Sequence, residues 1–226
     1  MNFEKGSVQL ALSHSPDSSV GVLLRGRLSK ILGVSEKGRN NAKEAVEKFK
    51  SARDDFQAFL KGENATEFNK LELASMLYLL GSTVNDQELF QKSSDLCNEI
   101  KERGLSPSST LLLAQNQLRL GRVQTGKNVL MDLVGHKNNP LSAVAFRFYL
   151  EHLIDFVTNQ VEEQEDAIPE LEELESLLAI VDDSSESINE ELRKTVRRNP
   201  EGVKKFIQIC LINKNFRLLK FLSIML

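Results

Sequence analysis

The chain has little cysteine. Its only two, Cys97 and Cys210, lie far apart and form no CxxC pair, which argues against both a disulfide framework and a thiolate metal site. The first residues, Met1 to Gly6, carry no charged segment that leads into an apolar stretch, so we expect no secretory signal. Together these features predict an intracellular protein, cytoplasmic rather than nuclear or organellar.

Tryptophan, uninterrupted apolar runs and strand patterns are absent as well. The apolar stretch 203–226 is broken by five cationic side chains, so we expect no membrane span. No alternating run of β-branched residues is bounded by Asn-Gly or Asp-Gly, which argues against a β-sheet. Apolar residues recur instead at helical spacing, as in Ala42 to Leu60, where Phe49 and Phe56 share one face.

Residue patterns that could support catalysis are also missing. The histidines His14, His136 and His152 stand apart, and no HExxH spacing occurs. His152 and Asp155 lie one helical turn apart, which is more typical of a structural histidine than of a catalytic one. Gly21 and Gly26 have the spacing of a phosphate-binding loop, but Arg27 and Leu28 follow them in place of the Lys and the Ser or Thr that such a loop requires. We therefore expect a protein that is not an enzyme and uses no cofactor or metal.

Charge is plentiful but unevenly placed. Residues 1–147 carry 20 Lys or Arg against 16 Asp or Glu, residues 148–192 carry 15 acids and no base, and residues 193–226 carry 9 bases against one acid. Such blocks predict that the basic C-terminal segment folds back over the acidic one, or that one of them binds a partner of opposite charge. Folding back is favoured because it costs no translational entropy.

Three segments of the chain share one pattern: a Leu, a tiny residue three positions later, and Leu-Gly at the end. The segments are Leu23, Gly26 and Leu32-Gly33; Leu71, Ala74 and Leu80-Gly81; and Leu111, Ala114 and Leu120-Gly121. A second amphipathic helix follows each one, predicted over 41–60, 87–103 and 122–134. We expect the tiny residue to let the second helix approach closely, and the Gly to end the first helix in a left-handed conformation.

The third pattern and its surroundings resemble the tetratricopeptide family, in Leu113-Ala114, Leu120-Gly121, Gly126, Leu130 and Pro140, and Ala42 to Phe49 is similar to a second helix of that family. The resemblance implies an all-α fold, a right-handed α-solenoid of antiparallel helix pairs that stack to bury their apolar faces. We predict three helix pairs over 1–140, an acidic helical segment and linker over 141–187, and a basic C-terminal helical hairpin over 188–226 that could be an incomplete repeat.

Alignment of the three patterns on their tiny residues predicts a common binding face. Its positions are Leu23, Arg27 and Lys30 in the first pattern, Leu71, Ser75 and Tyr78 in the second, and Leu111 and Gln115 in the third. The Lys, Asn and Arg clamp with which related domains bind chaperone C-termini is absent, so the expected partner is an apolar helix or extended segment. The alternative is that these leucines only pack between repeats.

The apolar C-terminal hairpin is a second predicted contact, for an oligomer or a larger complex, through Phe216, Phe221 and Leu222. The leading functional hypothesis is a non-enzymatic scaffold or adaptor subunit that mediates protein–protein interaction within a complex.

The alternative hypothesis is a protein that binds single-stranded RNA, because residues 99–107 resemble an inter-repeat junction of the pentatricopeptide family. Basic residues also cluster twice, as Arg25, Arg27, Lys30, Lys37, Arg39 and Lys43, and as Arg193, Lys194, Arg197, Arg198, Lys204 and Lys205. Such clusters could contact phosphates. Few aromatic residues are available for base stacking, which ranks this hypothesis second.

Overall fold

The computed structural model describes residues 18–61, 66–101, 106–135, 141–160, 169–180 and 186–223, and every regular element in these ranges is an α-helix. The helices are α1 (Ser19–Gly38), α2 (Ala42–Leu60), α3 (Glu67–Val84), α4 (Gln87–Lys101), α5 (Pro107–Arg119), α6 (Val123–Gly135), α7 (Ser142–Gln160), α8 (Pro169–Ile180), α9 (Glu186–Arg198), α10 (Pro200–Ile212) and α11 (Phe216–Ser223). The predicted all-α class is confirmed. None of the described helices has the length and apolar character needed to cross a membrane.

Two compact units divide the chain, unit 1 up to Val123 and unit 2 from Gln124. Unit 1 contains α1 to α5, which pack in succession. The division falls at the start of α6 and so separates the two helices of the third predicted pair. The predicted boundaries at residues 140 and 187 stay predictions, although α9 already begins at Glu186.

The first helix of each predicted pair begins at a hydroxyl cap. The side-chain oxygens of Ser18, Thr66 and Ser106 accept hydrogen bonds from the backbone N–H groups of Gly21 (3.0 Å), Asn69 (3.3 Å) and Ser109 (3.2 Å). Such caps satisfy backbone donors that have no partner inside the helix. Each cap lies eight residues before the tiny residue of its pattern, so the repeat extends to the starts of α1, α3 and α5.

Two glycines of α1 receive two phenylalanines of α2. A Cβ atom on Gly26 would lie 3.1 Å from Phe56 Cε1, and one on Gly33 would lie 2.5 Å from the ring of Phe49. Both rings are fully buried. Because each pair of residues is seven positions apart, all four lie on facing sides of two antiparallel helices. The tiny residue thus permits the close approach that the sequence predicts.

The prediction that each Leu-Gly ends its helix is wrong for Gly33 and Gly81, because both lie inside their helices. A Cβ atom on Gly81 would lie 3.1 Å from Phe90 Cε1 of α4, so this glycine also makes room for a ring. Its position two turns after the tiny residue places it on the same contact face. Left-handed residues follow the helix ends instead, at Asn40 (φ 61°), Asn85 (φ 57°) and Gly121 (φ 74°). Only Gly121 acts as predicted.

Helix α7 is the centre of unit 2 and packs against α8, α9 and α10. Its buried side chains include Phe146, Tyr149, Leu150, Leu153 and Ile154. Tyr149 donates a 2.9 Å hydrogen bond to Glu173 of α8, and Phe146 meets Phe221 of α11 edge to face at 5.8 Å. The C-terminal hairpin α10–α11 is therefore part of the core of unit 2.

The acidic and basic blocks of the chain meet in unit 2. Glu151, which is buried, accepts hydrogen bonds from Arg147 (2.9 Å) and Arg198 (2.6 Å), and Arg147 also donates to Glu191 (2.6 Å). Glu151 belongs to the acidic block and Arg198 to the basic C-terminal segment. At this contact the basic segment folds back over the acidic one, as the charge pattern predicts.

Candidate protein-interaction face

The eight residues predicted to form a binding face in unit 1 are all partly exposed. Helix α1 carries Leu23, Arg27 and Lys30, α3 carries Leu71, Ser75 and Tyr78, and α5 carries Leu111 and Gln115. These eight residues are hereafter the α1/α3/α5 face. Side chains with this intermediate exposure can pack between repeats and still offer surface to a partner. The structure is therefore compatible with a binding face and with leucines that only pack between repeats.

Glu72 joins α1 to α3 within this face. Its carboxylate lies 3.0 Å from the ammonium of Lys30 and 3.5 Å from Nε of Arg27. The guanidinium of Arg27 also lies over the ring of Phe68, 5.4 Å from its centroid, in a cation–π contact. Two cations that the sequence offers to a partner thus share one carboxylate of α3.

Apolar packing joins α3 to α5. Ala74, Cys97, Leu112 and Leu113 form a buried cluster, and Leu71 and Tyr78 of the face pack against it while remaining partly exposed. The ring of Tyr78 also contacts that of Phe90, with centroids 5.7 Å apart. Leu23 packs in the same way on a buried apolar cluster formed by residues of α2 and α3. The apolar members of the face are therefore held in place by the core behind them.

A buried polar network fixes the helices behind the face. Ser93 of α4 donates to the carbonyl of Ala74 in α3 (2.7 Å), and Asn116 of α5 donates to Ser93 (2.8 Å). One residue further along both helices, Gln117 donates to Ser94 (2.8 Å). Such paired bonds oppose a register slip between α4 and α5, because a slip would leave buried polar groups unsatisfied. The sequence pattern does not predict this network, since polar residues in helices are usually solvated.

Exposed apolar side chains adjoin the face on α1 and α3. Phe68, beside Arg27, is 60% exposed, and Val20 and Ile31 of α1 are among the exposed large hydrophobic residues. Partly paired charge next to partly exposed leucine and tyrosine and exposed phenylalanine suits contact with another apolar side-chain surface. Phe68 was not predicted as a site residue, although it lies three positions before Leu71 and could have been found by extending the alignment.

Ion pairs also neutralise much of the two basic clusters. Arg25 donates three hydrogen bonds to Asp55, the shortest of 2.6 Å. Further pairs are Arg39 with Glu36, Lys194 with Glu191, Arg198 with Glu151 and Lys204 with Glu201. These contacts weaken both clusters as phosphate-binding surfaces. Of the junction that resembles pentatricopeptide proteins, residues 102–105 lie outside the described residues.

The three predicted contacts of the C-terminal hairpin are not equivalent. Phe216 is 71% exposed, whereas Phe221 and Leu222 are 4% and 1% exposed. Phe221 and Leu222 pack in the core of unit 2, so as the unit is folded they present no surface to a partner. Only Phe216 remains as an accessible residue of this group.

Titratable groups in the described ranges form no recognisable catalytic arrangement. Burial raises the pKa of the Cys97 and Cys210 thiols to about 12, so both are protonated at neutral pH. Burial lowers the pKa of His152; nearby Asp155 opposes this and Lys127 adds to it. No group of three or more His, Cys, Asp or Glu within those ranges could hold a metal. His14 and His136 lie outside the described residues.

A small cavity lies beside Glu151 in unit 2. Its lining includes Glu151, Thr195 and Arg198, and its volume is about 10 Å³. Such a volume accommodates about one water molecule and no organic substrate.

Comparison of the chain with protein-family models and with curated proteins finds no significant match.

Proposed function

We propose that the chain is a non-enzymatic scaffold or adaptor subunit that binds an apolar segment of another protein on the α1/α3/α5 face. In this proposal unit 1 is a short tetratricopeptide-like right-handed solenoid. Support comes from one register shared by three helices: the cap, the tiny residue and the Leu-Gly recur with spacings of 48 and 40 residues.

The observation that carries the proposal is the placement of α1, α3 and α5. Glu72 bridges α1 to α3, and the cluster around Ala74 joins α3 to α5. First helices that lie side by side form a continuous surface, which is how helical-repeat proteins bind extended partners. Leu23, Leu71 and Leu111 form a ladder on that surface that suits an amphipathic helix or an extended apolar segment.

Protein binding is favoured over RNA binding by the charges in the structure. Arg27 and Lys30 share the carboxylate of Glu72, so about one net positive charge remains at this contact for a phosphate backbone, and binding to RNA gains strength only with several such contacts. Tyr78, the aromatic residue of the face, packs against Phe90 and is not free to stack on a base.

A matched pair of substitutions tests the proposal. Ser75→Arg places a long charged side chain in the middle of the face, and Ser51→Arg makes the same change at an exposed position of α2. Each variant and the wild-type chain would be captured from native cells, and the companion proteins would be quantified by mass spectrometry. We expect a stoichiometric companion that is lost with Ser75→Arg and kept with Ser51→Arg.

Circular dichroism of both variants would verify that each remains folded. Loss of the companion in both variants, or its retention in both, would contradict binding through the face.

A further inference from the structure

The turn between α10 and α11 carries an exposed apolar tip. Leu211 and Ile212 end α10 and Phe216 begins α11, with exposed fractions of 56%, 67% and 71%. Other apolar residues of the same hairpin, such as Leu218 and Phe221, are buried. The tip, defined as Leu211, Ile212 and Phe216, is therefore the part of the hairpin that the core of unit 2 leaves outside.

Unpaired cations surround this tip. Residues 202–226 contain five cationic residues and no acidic one. Lys204 contacts Glu201 at 2.7 Å. The other four, Lys205, Lys214, Arg217 and Lys220, are exposed, and no ion pair joins them to any residue that the structure describes. This cluster differs from the basic residues of unit 1, several of which have carboxylate partners.

The cations lie in the turn and within about two helical turns of the apolar tip. Lys214 is in the turn itself and Arg217 follows Phe216 directly. Lys220 lies about one helical turn behind Phe216, or roughly 6 Å along α11, and Lys205 lies two turns behind Ile212 on the same side of α10. An apolar end with cations in its turn and one to two helical turns behind it matches the boundary between the acyl chains and the headgroups of a bilayer.

We propose that this hairpin is a peripheral membrane anchor that docks on bilayers rich in anionic lipids. The three side chains of the tip enter between the headgroups, while Lys205, Lys214, Arg217 and Lys220 contact lipid phosphates and carboxylates. The anchor lies in unit 2 and is independent of the binding face of unit 1. With both in place, the chain holds its protein partner at a membrane surface.

A nucleic acid and a protein partner fit the tip less well than a bilayer does. Phe216 is the one aromatic residue of the tip, and Leu211 and Ile212 are aliphatic, so the tip offers a nucleic acid a single ring for base stacking. A protein interface of ordinary size buries about 800 Å² on each partner, far more than three side chains at a turn supply. A bilayer needs no matching concave surface, because it deforms around the side chains that enter it.

Tryptophan fluorescence at the tip tests the anchor directly. The chain contains no Trp, so Phe216→Trp introduces a single reporter at an exposed site, and Phe68→Trp places a matched reporter at an exposed site of unit 1. Vesicles would consist of phosphatidylcholine alone or with phosphatidylserine added. We expect the emission of Trp at 216 to shift to shorter wavelength, and to be quenched by brominated acyl chains, only with the anionic vesicles. The reporter at 68 should not respond.

Charge variants in the Phe216→Trp background give the second measurement. Lys214→Gln with Arg217→Gln should lower the partition coefficient for anionic vesicles about thirtyfold, because two basic side chains near the surface are neutralised. Lys43→Gln with Lys61→Gln, which changes two exposed cations of unit 1, should leave it unchanged.

Three results would overturn the anchor. They are a reporter at 216 that ignores anionic vesicles, an equal loss in both charge variants, and an emission shift that single-stranded RNA or a higher protein concentration reproduces without lipid. None of these results depends on Ser75→Arg, so failure of the anchor and failure of the protein-binding face can be told apart.

Discussion

The close packing of α1 on α2 depends on glycines, which have no side chain. Gly33 lies against the ring of Phe49, which is fully buried and cannot move into solvent. Because protein interiors are packed at nearly crystalline density, even one added methyl group must displace its neighbours. The identity of residue 33 therefore matters more to the stability of this helix pair than its helix propensity.

Gly33→Ala should destabilise unit 1 by about 1–3 kcal/mol, because its Cβ would lie 2.5 Å from the Phe49 ring. Gly38→Ala is the matched control in the same helix, since nothing lies within 4 Å of the added Cβ. Alanine there should be neutral or stabilise by up to about 1 kcal/mol. Urea denaturation followed by circular dichroism would measure both. Equal stabilities for the two variants would contradict the close packing of α1 on α2.

The two cysteines should be chemically inert in the folded chain. Burial raises both thiol pKa values to about 12, so the thiolate is a negligible fraction at pH 7. We expect Cys97 and Cys210 to react with Ellman's reagent only after denaturant is added. Rapid modification of either thiol under native conditions would show that its helix opens readily or that the thiol is exposed.

At the scale of helices, the polar network of α3, α4 and α5 should set the register of the face. Asn116 is fully buried, and its amide bonds both Ser93 and the backbone of α5. Asn116→Ala should cost about 1–3 kcal/mol, because buried polar partners lose their hydrogen bonds. Gln57→Ala, at an exposed position of α2, is the control and should change stability little. Thermal unfolding of both variants would measure their stability. A melting temperature of Asn116→Ala equal to that of the wild type would refute a stabilising role for the network.

The buried side of the hairpin α10–α11 should contribute to the stability of unit 2, and its exposed side should not. Phe221→Ala should destabilise unit 2 by about 3–5 kcal/mol, because it removes a buried ring that packs on Phe146. Phe216→Ala removes a ring of the same size from an exposed position and should leave the unfolding free energy nearly unchanged. Denaturant titrations of the two variants would contradict this division if their midpoints shifted by similar amounts.

Several helices could be predicted from the sequence because periodic apolar residues, caps and tiny residues are local signals. These local signals predict the starts of α2 and α4 to within one residue. They also predict the close packing of Gly26 and Ala74. The contact of Glu72 with Lys30 could not be predicted, because these residues are 42 positions apart and meet only through the placement of α1 against α3. Nor could the burial of Phe221 beside the exposed Phe216, because a short apolar helix does not reveal which side is covered.

For the molecule as a whole, the charge blocks make stability depend on pH. In unit 2, burial raises the pKa of Glu191, but hydrogen bonds from Lys194 and Arg147 outweigh burial and lower it below its ordinary value of 4.5. Glu173 behaves in the same way through Lys127 and Tyr149. A carboxyl with a lowered folded pKa stabilises the fold fully above its unfolded pKa, and this contribution is lost as the pH falls through the folded pKa.

Unit 2 should therefore lose stability progressively as the pH falls below about 4.5. Glu191→Gln should flatten this dependence, whereas Glu201→Gln should not, because Glu201 and its partner Lys204 are both well exposed. Urea denaturation of the wild type and the two variants across acidic pH would measure the slopes. Identical slopes for all three proteins would contradict a stabilising role for the charge-paired Glu191.

We propose one binding surface on each unit, an apolar face on unit 1 and a basic apolar tip on unit 2. An adaptor needs two such surfaces, because it must hold one partner while it is itself held elsewhere. The proposed scaffold function depends on the face of unit 1, since in our proposals removal of the tip would change only where the chain acts.

Site-specific photo-crosslinking in native cells would examine that face. A benzophenone side chain would replace Tyr78 or Gln115 on the face, and Lys50 on the exposed side of α2 as the control. We predict that both face positions, and not position 50, form an adduct with the same companion protein. Absence of adducts from both face positions, or the same adduct from position 50, would contradict protein binding through the α1/α3/α5 face.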